Sequence, residues 1–129
     1  MQDIGGRGDA ALLLLARLAL AALMLGGAAQ KALSPGDAMA LLAERGLPQA
    51  LVWPALAYDA AAGVALVLGW RMRPLALSLA VYCAFTSWFH FKPEDPWQMT
   101  IFVKNWAIAG GCCALAVAGA GPWRLGRRG

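Results

Sequence analysis

Residues 10–30 read AALLLLARLALAALMLGGAAQ, twenty-one positions carrying a single charge, Arg17. A helix rising about 1.5 Å per residue needs about 20 mostly apolar residues to cross the hydrocarbon of a bilayer, so this stretch is of spanning length. Three more follow it. Gly46 to Trp70 is 25 residues long with Asp59 as its one charge. Pro74 to Phe91 carries no formal charge unless His90 is protonated, and Asn105 to Trp123 carries none, with Ile101 to Val103 extending it past Lys104. The pattern predicts one membrane domain over residues 1–129: an all-α, integral-membrane four-helix bundle with spans at about 10–31, 48–69, 74–91 and 101–120.

Composition points the same way. The chain is 60% hydrophobic and 14% charged, with a mean hydropathy of +0.58. Soluble domains run near 45–50% apolar and about 25% charged, and a Leu- and Ala-rich chain with few charges cannot stay disordered in water. The formal charge of +4 is spread as single Arg and Lys residues between apolar runs, which excludes the basic face that nucleic-acid binding needs. Gly26-Gly27-Ala28-Ala29 resembles a signal-peptide cleavage site. However, Arg17 splits the apolar core and the leading segment is barely positive, so the first stretch is read as a retained span.

The connections carry turn chemistry. Ser34-Pro35-Gly36-Asp37 reads as a helix start, and the short helix it opens ends at Gly46 and Pro48. Its apolar side, with Met39, Leu41 and Leu42, predicts a helix lying in the membrane interface between the first two spans. Lys92-Pro93-Glu94-Asp95-Pro96 breaks the chain before the last span. Arg7, Arg71, Arg73, Arg124, Arg127 and Arg128 fall on one side, against Lys31, Arg45, Lys92 and Lys104 on the other. The positive-inside rule then places both termini in the cytoplasm. Trp53, Trp88, Trp97 and Trp106 gather near the outer boundary and Trp70 and Trp123 near the inner one, as interfacial belts do.

Polar residues inside the spans are candidates for structure or function. A mid-span charge costs at least about 2.5 kcal/mol on insertion scales and so seeks a partner. Counted from the inner ends of their spans, Arg17 and Asp59 differ in depth by only about 5 Å, which predicts an intramembrane ion pair between them. Tyr82, Cys83, Thr86 and His90 form a polar stripe on one face of the third span. Lys31, His90, Lys104 and Asn105 come from three spans at similar depth and form a candidate ligand-binding cluster in the outer half. Helix-end lysines that snorkel to the interface are the alternative for Lys31 and Lys104. One histidine in the chain rules out a pair of haem-ligating histidines, and no metal-ligand spacing is present. Cys83, Cys112 and Cys113 read as small apolar fillers: Cys112 and Cys113 point about 100° apart on a helix, and Cys83 lies two turns from His90.

Over about Leu12 to Gly126 the chain resembles the DoxX family of small four-span bacterial membrane proteins. The residues that carry this are Arg17, Gly26 to Leu33, Gly46-Leu47-Pro48, Asp59 to Gly69, and His90 followed by Phe102 to Gly111 and Gly119-Ala120-Gly121. Asp59 stands where the family usually has Glu, and Arg124 where an acidic residue is common. The resemblance implies a multi-pass protein of the bacterial inner membrane. Some relatives are subunits of quinone-linked sulfur-compound oxidoreductases, and others associate with redox and thiol-stress systems. A quinone is therefore the implied cofactor. The implied partners are the lipid bilayer and either further copies of the chain or a redox subunit. Two other functions fit the residues: a structural or assembly role with no catalysis, and a small-solute or proton pathway along Arg17, Asp59 and the outer cluster.

Overall fold

The apolar stretches fold as helices whose ends are set by the turn residues between them. In the computed structural model, which describes residues 6–124, α1 runs Arg7–Leu33, α2 Pro35–Glu44, α3 Val52–Leu68, α4 Met72–Ser87 and α5 Pro96–Ala118. A 3₁₀ turn at Gln49–Leu51 leads into α3 and another at Trp88–His90 extends α4. Arg127 and Arg128, counted in the charge bias, lie outside the described residues. Residues Arg7–Leu33, Gln49–Leu68 and Pro96–Ala118 are long and apolar enough to cross a membrane. The helix α4 has only 16 residues. With its 3₁₀ turn it reaches about 30 Å, the thickness of the hydrocarbon.

One boundary and one cap differ from the sequence reading. The last helix begins at Pro96, ahead of the expected 101, because proline at the first helical position forfeits only an N–H that would have had no partner. Asp95 caps it, its Oδ1 accepting from the backbone N–H of Trp97 at 3.0 Å and of Gln98 at 3.4 Å. The short helix α2 starts with Ser34 at the cap position and Pro35 first in the helix, as expected, but the Ser34 hydroxyl makes no capping bond.

Packing is uneven. Extensive interfaces join α1 to α3 and α4 to α5, whereas α3 meets α4 over a much smaller surface. The bundle is thus two tight helix pairs sharing a core of Leu66, Met72, Ala76, Leu79, Cys112 and Leu115. Outward, Leu12, Leu15, Val64, Leu77, Val81, Val103 and Val117 are exposed. Such a surface suits lipid tails, and helices satisfy their own backbone there.

The expected Arg17–Asp59 pair is not what the structure shows. Arg17, 1% exposed, donates from Nη1 and Nη2 to the Trp123 carbonyl at 2.9 Å each, from Nη1 to Ala120 O at 3.3 Å and from Nη2 to Val67 O at 3.4 Å. It therefore sits at the C-terminal end of α3 and against the segment after α5, where carbonyls without helical partners and the negative ends of the helix dipoles favour a cation. Val67 is eight residues beyond Asp59 on α3, about 12 Å along the axis. The depth count failed because α1 overhangs the end of α3, so its span does not start level with its neighbour's. At Gly69, which ends α3 with φ +74°, a Cβ would run into the Arg17 guanidinium and the Arg124 side chain.

Candidate functional site

Toward the end of the bundle that carries α2, the two helix pairs separate around a cavity of about 460 Å³. Lys31, His90, Lys104 and Asn105 all line it, as do Asp59 and Tyr82. The polar stripe of α4 accounts for one wall: Tyr82, Cys83, Thr86 and His90 all border the cavity. Helical spacing puts them on one face, and the gap between the pairs gives that face somewhere to look.

Asp59 is 2% exposed and both its oxygens are occupied. Lys31 Nζ donates to Oδ2 at 2.7 Å and the Tyr82 hydroxyl to Oδ1 at 2.7 Å. Lys31 lies one turn beyond Gly27 on α1 and reaches back along the helix. Gly27 makes the approach possible, since a Cβ there would lie 3.1 Å from Asp59 Oδ2 and 3.7 Å from Lys31 Nζ. The Tyr82 ring packs on Tyr58 with centroids 4.6 Å apart, and the Tyr58 hydroxyl bonds Ser78 Oγ at 2.7 Å. A buried carboxylate with a cation and a phenol on its two oxygens is electrostatically answered. Its role is to fix α1, α3 and α4 in register at the floor of the cavity.

The other cluster members are placed differently. His90 Nδ1 lies 2.7 Å from Gln98 Oε1, a contact between the turn after α4 and the first turn of α5. Among the described residues Lys104 has no ion-pair partner and Asn105 no side-chain hydrogen bond; both border the cavity from α5. The uncommitted donors on the cavity wall are therefore Lys104 and Asn105, with His90 beside them, while the charge of Lys31 is taken up by Asp59. Sequence reasoning missed Gln98, having left it in a loop before the last span. It also missed Tyr82 as the partner of Asp59, although Tyr82 was on the polar stripe.

The helix α2 covers this end. Asp37, Ala38 and Leu41 border the cavity. Arg45 Nη2 donates to the carbonyls of Trp88 at 2.7 Å and Phe91 at 3.1 Å, and its guanidinium stacks over the Trp88 ring at 5.1 Å. Glu44 pairs with Lys92. Beside the cavity an apolar groove of about 440 Å³ runs between α2, α3 and α4, walled by Leu47, Leu51, Val52, Phe85 and Phe89. Lys31, Tyr82, Thr86 and His90 border both spaces, so the polar cavity and the apolar groove are neighbours across those side chains. Both volumes fall in the range of about 300–1,000 Å³ usual for small-molecule sites.

The DoxX family model matches residues 12–92, from the first turns of α1 to the end of α4 and the turn that follows it. The chain belongs to the DoxX family. That stretch holds Arg17, Gly27, Lys31, Asp59, Tyr82 and His90, and with them the Lys31–Asp59–Tyr82 contacts at the cavity floor. The DoxX match stops before α5, so Gln98, Lys104 and Asn105 lie beyond it. Comparison with curated proteins and with solved structures finds no match. As a DoxX protein with an all-helical, apolar-surfaced bundle, it is a membrane protein.

Proposed function

We propose that this DoxX-family protein is the quinone-binding membrane subunit of a thiol- or sulfur-oxidising redox system. The observation that carries the reading is the adjacency of a hydrogen-bonding cavity, with Lys104 uncommitted on its wall, and an apolar groove, the shape of an amphiphile with a polar ring and a hydrocarbon tail. Lys104 and Asn105 would donate to an oxygen of the ring, with His90 at its other side, and the groove would take the first isoprene units. A quinone held there would supply an acceptor for two electrons and two protons. The electrons come from a partner subunit that oxidises a thiol or an inorganic sulfur compound. The arginine bias supports an orientation in a bacterial inner membrane with both termini in the cytoplasm and the cavity toward the outer leaflet.

A through-pathway is less well supported. Leu66, Met72, Leu79 and Leu115, all buried, fill the bundle between Asp59 and Arg17, so the polar lining does not continue to the far end. The test uses the full chain in lipid nanodiscs and a decyl-substituted benzoquinone. Lys104→Ala should weaken binding of the quinone, and His90→Ala that of the corresponding hydroquinone, by roughly 10- to 100-fold, the value of one strong hydrogen bond of about 1.5–3 kcal/mol, with folded yield unchanged. Wild-type affinity in both variants would leave the assembly role as the better reading.

A further inference from the structure

We infer that Gln98 sets the tautomer of His90 so that the cavity recognises a hydroquinone in preference to a quinone; the ligand half of this rests on the quinone reading above. The chain has one histidine, and its Nδ1 faces the amide oxygen of Gln98 at 2.7 Å. An amide oxygen only accepts, so Nδ1 carries the hydrogen and, in the neutral ring, Nε2 carries a lone pair. Nε2 has no hydrogen-bond partner among the described residues and is not sealed from the surrounding space. His90 borders both the cavity and the groove whereas Gln98 borders neither, so the Nδ1 edge turns away from the ligand spaces and the opposite edge is offered to them.

That arrangement discriminates between redox forms. A quinone presents two carbonyls, which can only accept. One is served by Lys104 and Asn105 on α5, but the other would meet the Nε2 lone pair with no hydrogen between them. A hydroquinone presents hydroxyls, so one O–H donates to Nε2 while the other oxygen still accepts from Lys104 or Asn105. Of the charged groups around the ring, Lys31 is committed to Asp59 and Lys92 to Glu44, Lys104 is taken by the first oxygen, and Asp37 and Asp95 are carboxylates, the latter capping α5. Gln98 thus acts as a positioning residue, and His90 Nε2 as the acceptor that reads the oxidation state.

Tighter binding of the reduced form raises the reduction potential of the bound couple. A tenfold preference corresponds to about +30 mV for two electrons. The site would draw electrons from a weak sulfur reductant by stabilising the product of its oxidation of that donor.

The experiment labels histidine with ¹⁵N in the full chain reconstituted in nanodiscs, where a single imidazole reports without assignment. It then measures affinity for a decyl-substituted benzohydroquinone and its benzoquinone. The wild type should show the Nδ1–H tautomer and a hydroquinone preference of about tenfold or more, one hydrogen bond's worth. Gln98→Met, close in volume, should lose the Nδ1–H signature and most of the preference with folded yield retained. If that variant fails to fold, the wild-type spectrum alone decides the tautomer. An Nε2–H spectrum in the wild type overturns the inference. An Nδ1–H spectrum with equal affinity for the two forms also overturns it and leaves the quinone site standing. Absence of affinity for either form overturns the quinone reading and with it the ligand proposed here.

Discussion

Replacing Asp59 tests which cation the buried carboxylate belongs to. In Asp59→Leu the Tyr82 hydroxyl loses its acceptor, which costs about 1–3 kcal/mol for a buried donor. The Lys31 ammonium loses its counter-ion, but its side chain is 22% exposed and can turn into the cavity, so its share is near the lower end of the about 3–5 kcal/mol that follows breaking a buried pair. The single change should therefore cost about 4–6 kcal/mol. Lys31→Met leaves the carboxylate, 3% exposed at its side chain, with Tyr82 alone and should cost a similar amount. Because each single variant strands a charge and the double variant strands none, Lys31→Met/Asp59→Leu should recover about 2–3 kcal/mol relative to the sum. Arg17→Met combined with Asp59→Leu should instead be additive within about 0.5 kcal/mol, since the two sites lie about 12 Å apart without shared partners. Reversible unfolding of the detergent- or bicelle-embedded chain by dodecyl sulfate measures both pairs. Additivity at 31/59 together with coupling above about 1 kcal/mol at 17/59 would refute the pairing and restore the one expected from the sequence.

Three further outcomes follow from the same geometry. Gly69→Ala should destabilise by about 2 kcal/mol or more, since it adds the left-handed backbone penalty of about 1–2 kcal/mol to a collision with Arg17, and amide exchange in residues 119–124 should accelerate. Arg45→Ala should release α2, read as faster amide exchange over residues 35–44 than over α3; unchanged protection would mean that α2 is held by its apolar side alone. Reporter fusions after residue 124 and within residues 92–97 should report opposite sides of the membrane, and an active periplasmic reporter at the former would reverse the proposed orientation.

Hydropathy made the spans legible because crossing hydrocarbon leaves few alternatives to a long apolar helix. The cavity lining was partly legible too. Lys31, His90, Lys104 and Asn105 stand at helix ends on one side of the bundle, so counting residues inward brings them to one level. Partner identity was not legible. Arg17 is held by the carbonyls of Val67, Ala120 and Trp123, and carbonyls are common to every residue, so nothing in the sequence marks these three. Asp59 was matched to the wrong cation because the depth count assumed spans with level ends, and α1 overhangs. Gln98 was overlooked for a smaller reason. Two prolines suggested a break, and only the Asp95 cap shows that the second one starts the helix on which Gln98 sits.

The Arg17 clasp has a consequence for the order in which the protein is made. Its main acceptor, Trp123 O, is 106 residues downstream, and its first one, Val67 O, is 50 residues downstream. During synthesis the first helix must therefore enter the bilayer with an arginine that has no partner, at a penalty of about 2.5–3.5 kcal/mol near a helix centre. Completing α3 offers one long hydrogen bond. Only when the chain has been extended past α5 do the two short ones become available. Docking on α3 and the Lys31–Asp59 pair hold α1 before then, so what waits is the arginine itself, and a ribosome stalled before residue 120 would leave that charge with one long hydrogen bond. Chains arrested at successive lengths should show extraction of the first helix by alkali falling sharply once the tryptophan has left the exit tunnel.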